Sequence, residues 1–179
     1  MRFVRFIMVM ISVTLILSSC KPIPEEVKPF YEHKWGDIAN SQPVFSQDFP
    51  DPDVLEVNGT YYAFATIGMG RNIQAATSTD LLNWEWQKDA MPVLPPWSIK
   101  GDTWAPDVIS SPDNSGYIMY FVSHSRTLGR QCIGVAQSPD PIGPYTSDAE
   151  EPLICQDEEG GSIDPASFVD VDGSRYLLW

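Results

Sequence analysis

The chain has 179 residues and a formal net charge of −13, because 24 aspartates and glutamates outnumber 11 lysines and arginines. So acidic a surface argues against nucleic acid and anionic lipid as partners, since both are themselves negatively charged. Aromatic residues make up 12% of the sequence, which is enough for a hydrophobic core and for surfaces on which sugar rings could stack.

Residues 1–19 are predicted to be a signal peptide of the lipoprotein type. Arg2 and Arg5 give the segment a positive start, and residues 6–17 form a nearly continuous apolar run. A run of that length is typical of a signal-peptide core and is too short to span a membrane as a helix. The protein is therefore expected to be exported.

Leu17-Ser18-Ser19-Cys20 resembles the lipobox of bacterial lipoproteins, in which the cysteine becomes the lipid-bearing first residue of the mature chain. The alternative is an ordinary signal peptide that is cut after a small residue. Residues 20–40 follow with prolines among charges, a composition typical of a stiff, solvated tether. We expect Cys20 to anchor the protein at the bacterial cell envelope, exposed at its surface, and to be its sole contact with the membrane.

From residue 41 to residue 179 the chain repeats one unit nearly three times. Each copy has a proline before a short apolar run, a turn that contains glycine, and a second apolar run. The copies begin with Asp51-Pro52-Asp53-Val54, with Ala105-Pro106-Asp107-Val108 and with Asp164-Pro165-Ala166-Ser167. Repeats of roughly 40–50 residues that are built from short strands are typical of β-propeller blades. The sequence therefore predicts an all-β fold.

Each full unit is predicted to contain four strands, because its short runs are rich in Val, Ile, Tyr and Phe. In the first unit these strands fall at about residues 54–57, 61–66, 73–78 and 84–87. The chain stops at Trp179, inside a predicted strand of the third unit. We therefore expect residues 41–179 to be the N-terminal part of a longer propeller, with two blades and the start of a third.

The turns and the strand starts can be placed from single residue types. Asn58-Gly59 and Asp172-Gly173 are the strongest hairpin signals, since both turn residues tolerate a positive φ. Pro52, Pro106 and Pro165, the repeat prolines, should each start a strand, where a missing N–H is tolerated.

Cys132 and Cys155 are the cysteines that remain after Cys20. They lie on either side of a turn-rich stretch, and an even pair in an exported protein favours a disulfide between them. The alternative is a pair of buried free thiols. No spacing of Cys and His in the sequence is typical of a zinc site.

Asp51 and Asp164 occupy the same position of the first and third copies, directly before a repeat proline. A propeller brings the starts of its inner strands to one axis, so both carboxylates should face a shared pocket, with Phe49-Pro50 giving Asp51 an apolar setting. Hydrolysis of a glycosidic bond needs such a pair, one group to activate water and one to protonate the leaving oxygen. Asp-Pro can also simply begin a strand, but a purely structural aspartate should recur in every copy, and the second copy has Ala105.

Three further residues are predicted to contact a sugar near this pocket. Trp104, at the channel mouth, offers a flat apolar face, and Ser123 and His124 follow the second inner hairpin. The alternatives are a tryptophan packed in the core and a loop histidine held by hydrogen bonds. Asp107, which aligns with Asp53, is interpreted as structural.

The three motifs resemble the successive motifs of glycoside hydrolase family 43. They read Phe49-Pro50-Asp51-Pro52-Asp53-Val54, Thr103-Trp104-Ala105-Pro106-Asp107-Val108 and Gly161-Ser162-Ile163-Asp164-Pro165-Ala166. The resemblance implies a five-bladed β-propeller of the arabinofuranosidase, xylosidase or arabinanase type, which acts with inversion on arabinan, arabinoxylan or xylo-oligosaccharide. It implies no cofactor for the chemistry and leaves room for a structural ion in the full-length propeller.

The resemblance also implies a role for each aspartate. Asp51 is expected to be the general base, and Asp164 is expected to tune the pKa of the general acid and to orient the sugar. The family's general acid is a glutamate in the next blade, which no residue up to Trp179 matches; Glu158 and Glu159 precede the Asp164 motif. The chain alone is therefore expected to be inactive.

Other functions stay open on the sequence alone. A non-catalytic sugar-binding propeller would keep the aromatic face and lack the acid. A retaining fructosidase-type propeller would use Asp51 as a nucleophile, with carboxyl groups roughly 5–5.5 Å apart instead of about 6.5–9.5 Å. A scaffold propeller would not need two Asp-Pro units on its axis.

Overall fold

The computed structural model describes residues 43–179, and these form three antiparallel sheets that follow one another along the chain. The first contains β1 (Asp53–Val57), β2 (Thr60–Ala65), β3 (Gln74–Ser78) and β4 (Glu85–Trp86), in that order. The second contains β5 (Ser98–Ser110), β6 (Tyr117–Ser125) and β7 (Gln131–Ser138), and the third contains β8 (Ala166–Val169) and β9 (Arg175–Leu178). The helical residues in this part of the chain form one short 3-10 helix, Asp157–Glu159. The all-β class is therefore confirmed for residues 43–179.

The predicted signal peptide (1–19), the tether (20–40) and Cys20 lie outside the described residues, so these assignments stay predictions. Residues 43–179 contain no helical segment that could span a membrane.

The first sheet forms as the sequence predicts, and each of its four strands begins and ends within one residue of the expected bounds. Asn58 and Gly59 connect β1 to β2 with φ angles of 52° and 79°, a left-handed conformation that Asn and Gly tolerate best. The hairpin that joins β8 to β9 has a loop longer than the predicted two-residue turn. Asp170 donates from its N–H to the Ser174 carbonyl at 2.8 Å, and Gly173 takes the positive φ inside this loop.

The first two units form the same turn directly after their third strands, at residues 78–80 and 138–140. The backbone N–H of Asp80 donates to Ser78 Oγ at 3.1 Å, and that of Asp140 donates to Ser138 Oγ at 3.1 Å. Short polar side chains favour such turns because they bond to the backbone two residues away. The sequence repeat is therefore also a structural repeat.

The second sheet has three strands, so the prediction of four strands is wrong for this unit. The segment after β7 runs back beside β7 but forms no fourth strand. It pairs with β7 in two isolated bridges, which join Gln137 to Thr146 and Ile133 to Ile154. Proline cannot donate a hydrogen bond to a ladder, and prolines interrupt this segment. They are Pro139, Pro141, Pro144 and Pro152.

The repeat prolines occupy two different settings. Pro52 and Pro165 directly precede β1 and β8, as predicted. Pro106 lies within β5, so the prediction of a strand start is wrong there. The pairing of β5 with β6 is irregular between Trp104 and Asp107, and such an irregularity tolerates the missing N–H.

The hydrophobic core contains buried side chains of the first two units, which include Phe64, Ile73, Met119 and Phe121. Tyr145, in the segment after β7, packs edge-on to Phe64 with ring centroids 5.9 Å apart. Its backbone N–H donates to the Ala90 carbonyl at 2.7 Å. These contacts fix the segment after β7 against the first unit.

An aromatic cluster holds the chain that leads into β1. Phe45 stacks on Phe49 with ring centroids 4.4 Å apart, and Phe49 meets Trp86 edge-on at 5.6 Å. Aromatic pairs of this kind contribute about 0.5–1.5 kcal/mol each beyond the area they bury. The backbone is therefore anchored just before Asp51.

Candidate active site

The three repeated motifs meet at one cavity of about 310 Å³. It is lined by each repeat proline and the residues on either side of it, which are Asp51, Pro52, Asp53, Ala105, Pro106, Asp107, Asp164, Pro165 and Ala166. The structure thus brings Asp51 and Asp164 together. A larger surface groove of about 640 Å³ lies at the β5–β6 turn, but its lining contains a single acidic side chain, Asp113.

The residue before each repeat proline has a left-handed backbone. The φ angles are 49° at Asp51, 40° at Ala105 and 55° at Asp164. A non-glycine residue rarely adopts this conformation, and a following proline restricts it further. Such strain costs on the order of 1–3 kcal/mol per residue, persists only where the surroundings hold it, and clusters at functional sites. The same unusual geometry is therefore built three times around this cavity.

Asp51 is held by a hydrogen-bonded bridge to the second unit. Thr66, directly after β2, donates from its hydroxyl to Asp51 Oδ2 at 2.6 Å. The backbone N–H of Ala105 donates to the same hydroxyl oxygen at 2.9 Å. The Asp51 residue is exposed, so the expectation of an apolar setting is wrong: the ring of Phe49 packs against Trp86 instead.

Asp164 follows a segment that is fastened to β7. Cys155 is joined to Cys132 of β7 by a disulfide, with Cα atoms 4.8 Å apart. The backbone N–H of Ser162 donates to the Gln131 carbonyl at 2.9 Å. The chain is therefore held at β7 just before it reaches the cavity.

Asp53 and Asp107 make the same contact in successive units. Asp53 Oδ2 accepts a hydrogen bond from the Val108 backbone N–H at 2.9 Å, and Asp107 Oδ1 accepts one from the Ser167 N–H at 3.1 Å. Each carboxylate therefore joins its own sheet to the next, which is a structural role. The third copy has Ala166 at this position.

Both of these carboxyl groups are partly buried, and burial raises their pKa values. The pKa of Asp53 rises from 3.8 to about 6, because burial disfavours the charged form and the nearby Asp107 adds repulsion, against the hydrogen bond from Val108. Burial likewise raises the pKa of Asp107, against the hydrogen bonds from Ser167. Asp107 Oδ2 is buried without a hydrogen-bond partner, which makes its charge more costly.

The predicted sugar-contacting residues do not line this cavity. Trp104 is half-buried in β5, opposite Val122. Ser123 is fully buried, and its hydroxyl oxygen lies 2.5 Å from that of Ser98. A hydroxyl that is paired inside a sheet is not accessible to a ligand, so the structure argues against the prediction for Ser123. His124 is half-buried in β6.

The carboxylates at the cavity divide into two kinds. Asp51 and Asp164 are exposed, whereas Asp53 and Asp107 are partly buried and join the units. No group of three or more His, Cys, Asp or Glu side chains among residues 43–179 is arranged to hold a metal ion. Asp51 and Asp164 are therefore the carboxylates of this cavity that solvent reaches most readily.

Thr66 is a contact that the sequence analysis missed, although the repeat contained a signal. The unit with Asp51 at the cavity has this threonine after its second strand. The unit with Ala105 has Val122 at the equivalent place. A change of two positions together between copies is the pattern that could have identified the pair.

Repeated antiparallel sheets with two accessible carboxylates at one cavity define an all-β protein with a candidate hydrolytic site. The family model described as glycosyl hydrolases family 43 matches residues 40–179. The chain therefore belongs to glycosyl hydrolase family 43.

The chain is similar to several proteins that are considerably longer than it is. It is 29% identical over 174 residues to an extracellular endo-α-(1→5)-L-arabinanase of Thermotoga petrophila, a match to 79% of this chain and 36% of that protein. It is 28% identical over 176 residues to an arabinoxylan arabinofuranohydrolase of Bacillus subtilis, a match to 78% of this chain and 33% of that protein. The crystal structure of a thermostable family-43 glycoside hydrolase superposes with a TM-score of 0.65 at 30% identity, over 76% of this chain and 43% of that one. The chain thus spans about a third of the length of these curated relatives.

Proposed function

We propose that the chain is the N-terminal part of a five-bladed β-propeller glycosidase that cleaves arabinofuranosyl or xylosyl linkages in plant cell-wall polysaccharides. The observation that carries this proposal is the cavity at which Asp51 and Asp164 meet from equivalent positions of a repeated motif. Membership of family 43 supports it, and the relatives named as an arabinanase and an arabinoxylan arabinofuranohydrolase favour arabinan-type substrates. The three sheets are then the first two blades and the start of the third.

Asp51 takes the role of general base in an inverting reaction. Its exposed carboxylate accepts a proton from a water molecule as that water attacks the anomeric carbon, and the bond from this carbon to the leaving oxygen breaks. The leaving oxygen takes its proton from a general acid, which the family resemblance assigns to a glutamate beyond Trp179. Asp164 tunes the pKa of that acid and orients the sugar.

Asp53 is unsuited to the role of the base although it lies two residues from Asp51. It is partly buried, and its Oδ2 is bound to the Val108 N–H of the second sheet. A carboxyl group that holds two sheets together would have to break this contact to reach a sugar. Asp51 is exposed, and the bond from the Thr66 hydroxyl occupies only its Oδ2, so Asp51 can meet a sugar without breaking a contact between sheets.

An exported enzyme suits a polysaccharide substrate, because a polymer cannot enter the cell before it is cleaved. The Thermotoga petrophila relative is named as extracellular, which supports export. We propose that Cys20 carries the lipid that keeps the enzyme at the cell envelope, close to its substrate.

The test uses the complete natural protein that contains this chain, with arabinan, arabinoxylan, and aryl arabinofuranosides and xylosides as substrates. Asp51→Asn is expected to lower kcat by about 10²–10⁴-fold, because a general base contributes that much. Asp113→Asn, which alters an exposed carboxylate at the β5–β6 turn, is the matched control and should leave kcat unchanged. Proton NMR of the first product formed should show inversion at the anomeric carbon.

The alternatives give different results in the same experiment. An Asp51→Asn variant that keeps most of its activity would remove this residue from the mechanism. An unaltered protein that binds these sugars without turnover would favour a non-catalytic sugar-binding propeller. Retention of configuration would favour a mechanism in which Asp51 is the nucleophile.

A further inference from the structure

Thr66 lies at the junction between the first two units of the site. Its hydroxyl donates to Asp51 Oδ2 at 2.6 Å and accepts from the Ala105 backbone N–H at 2.9 Å. A hydroxyl has one hydrogen, so the bond from Ala105 leaves that hydrogen for Asp51. Both of its partners have the left-handed backbone, with φ angles of 49° and 40°. One side chain thus fixes the carboxylate of the first unit relative to the backbone of the second.

The main chain of Thr66 is held without help from its hydroxyl. Its N–H donates to the Pro50 carbonyl at 3.1 Å, and its carbonyl accepts from Gln74 Nε2 at 2.8 Å. Gln74 is fully buried, so this second contact is shielded from water. The backbone N–H and carbonyl of Thr66 therefore hold the chain at the end of β2. The hydroxyl is left to bond with groups of the site.

The repeat provides an independent observation. The pairing registers of the two sheets make Thr66 and Val122 equivalent, because each lies two residues after the partner of the motif aspartate. The first unit combines Asp51 with a threonine, and the second combines Ala105 with a fully buried valine. Between these two units, the hydroxyl accompanies the carboxylate, and the unit without the carboxylate lacks the hydroxyl.

We propose that Thr66 is a positioning residue for the general base Asp51, an inference that rests on the proposed glycosidase function. The hydroxyl fixes the rotation of the carboxylate by donating to Oδ2, and it leaves Oδ1 as the atom that accepts the proton of the attacking water. A base must be oriented as well as close, since a misplacement of about 1 Å can cost on the order of 10²-fold in rate. Thr66 acts through Asp51 and contacts neither water nor sugar in this role.

The first experiment uses the complete natural protein and steady-state kinetics with an aryl arabinofuranoside. Thr66→Val removes the hydroxyl at similar volume and is expected to lower kcat about 10- to 100-fold, with KM within about twofold of its original value. Thr66→Ser restores the hydroxyl and should return most of kcat. Thr77→Val is the matched control, because Thr77 is a half-buried threonine of β3 whose hydroxyl accepts from Gln87 Nε2 at 2.9 Å, outside the cavity. This control should leave kcat unchanged.

A second experiment separates positioning from a structural role. In an Asp51→Ala background with added azide, an anionic nucleophile that needs no base, Thr66→Val should change the rate less than about twofold. An equal loss in both backgrounds would show that Thr66 supports the fold and would overturn the proposal. A Thr66→Val variant with unchanged kcat, or with a loss confined to KM, would overturn it as well.

Failure of the proposed function gives a different result. If the unaltered protein has no turnover, or if Asp51→Asn keeps it, the glycosidase proposal fails and the inference fails with it. If the unaltered protein is active and Asp51→Asn is not, the Thr66 variants alone decide the inference. Thermal unfolding is measured for each variant, and if Thr66→Val does not fold, Thr66→Ala is judged by the same criteria.

Discussion

The carboxylate of Asp53 accepts a hydrogen bond from the backbone N–H of Val108 at 2.9 Å and so joins the first sheet to the second. Asp107 repeats this contact with Ser167 one unit later. Asp53 and Asp107 thus each bond to the backbone of the next unit, and these bonds bring successive motifs to one cavity. The contact requires a partly buried carboxylate, and burial disfavours its charge.

Stability is expected to fall as the pH rises through the titration of Asp53. Its pKa is about 6 in the folded protein against an ordinary 3.8, so the folded state binds more protons than the unfolded state between these values. The tighter binding of a proton by Asp53 in the folded state therefore stabilises the fold fully below pH 3.8. This stabilisation is lost as the pH rises through about 6. Asp53→Asn removes this titration and keeps an oxygen acceptor for Val108. Between about pH 4 and pH 7 the variant should gain roughly 1–3 kcal/mol over the unaltered protein in its free energy of unfolding, measured with guanidinium.

Asp113→Asn is the control for this pH dependence. Hydrogen bonds from Ser111 and Ser115 lower the pKa of Asp113 to about 2, so it stays charged over the whole range. Its difference from the unaltered protein should therefore not vary with pH. A pH-independent difference for Asp53→Asn would contradict the prediction.

Cys132 and Cys155 should be bonded in the exported protein, since they are joined in the structure and the compartment is expected to be oxidising. The bond closes a separation of 23 residues, which restricts the unfolded chain. Replacing both cysteines by serine should lower the free energy of unfolding by roughly 3 kcal/mol. Mass spectrometry after alkylation without reduction should find no free thiol at these positions, and two modified cysteines would contradict the prediction.

The same replacement should loosen the segment that leads to Asp164. Amide exchange at Ser162, whose N–H donates to the Gln131 carbonyl, is expected to accelerate. Exchange at Met119, which is fully buried in β6, is the internal reference and should change less. Equal acceleration at both sites would show that the disulfide stabilises the whole fold and not this segment in particular.

Cys20 should carry lipid, because it follows Leu17-Ser18-Ser19 after an apolar run. Cys20→Ala is expected to release the protein from membranes into the soluble fraction. Mass spectrometry of the mature N-terminus checks the site directly. A mature chain that begins at any other residue would rule out this anchor.

The β8–β9 hairpin is expected to cause self-association when residues 20–179 are produced alone. Its exposed apolar side chains include Phe168, Val169, Val171, Tyr176 and Leu178. Exposed edges and apolar faces of this kind promote association. Leu178→Glu should reduce the mass measured by light scattering, whereas Leu82→Glu, at an exposed turn of the first unit, should not. A monodisperse monomer of the unaltered segment would contradict the prediction.

The local sequence pattern was sufficient to predict the strands and the first turn of the first unit. Its strands alternate with turns whose residues have strong conformational preferences, and Asn58-Gly59 adopts the expected left-handed conformation. The strand count of the second unit was harder to predict. The prolines after β7 prevent a fourth strand, and the path of the chain there depends instead on the packing of Tyr145 against the first unit. Ser123 shows the same limit: whether its hydroxyl is accessible depends on Ser98, a residue 25 positions away.

The order and spacing of the repeats are enough to show that Asp51 and Asp164 hold equivalent positions. The same alignment shows that the second copy has Ala105 at this position and therefore lacks the carboxylate. Tertiary packing is what makes Asp51 exposed and Asp53 partly buried, although a single residue, Pro52, separates them. The same holds for Thr66, which bonds to residues 15 and 39 positions away. Burial and hydrogen bonding between sheets depend on how the sheets pack, and a one-dimensional pattern does not contain that packing.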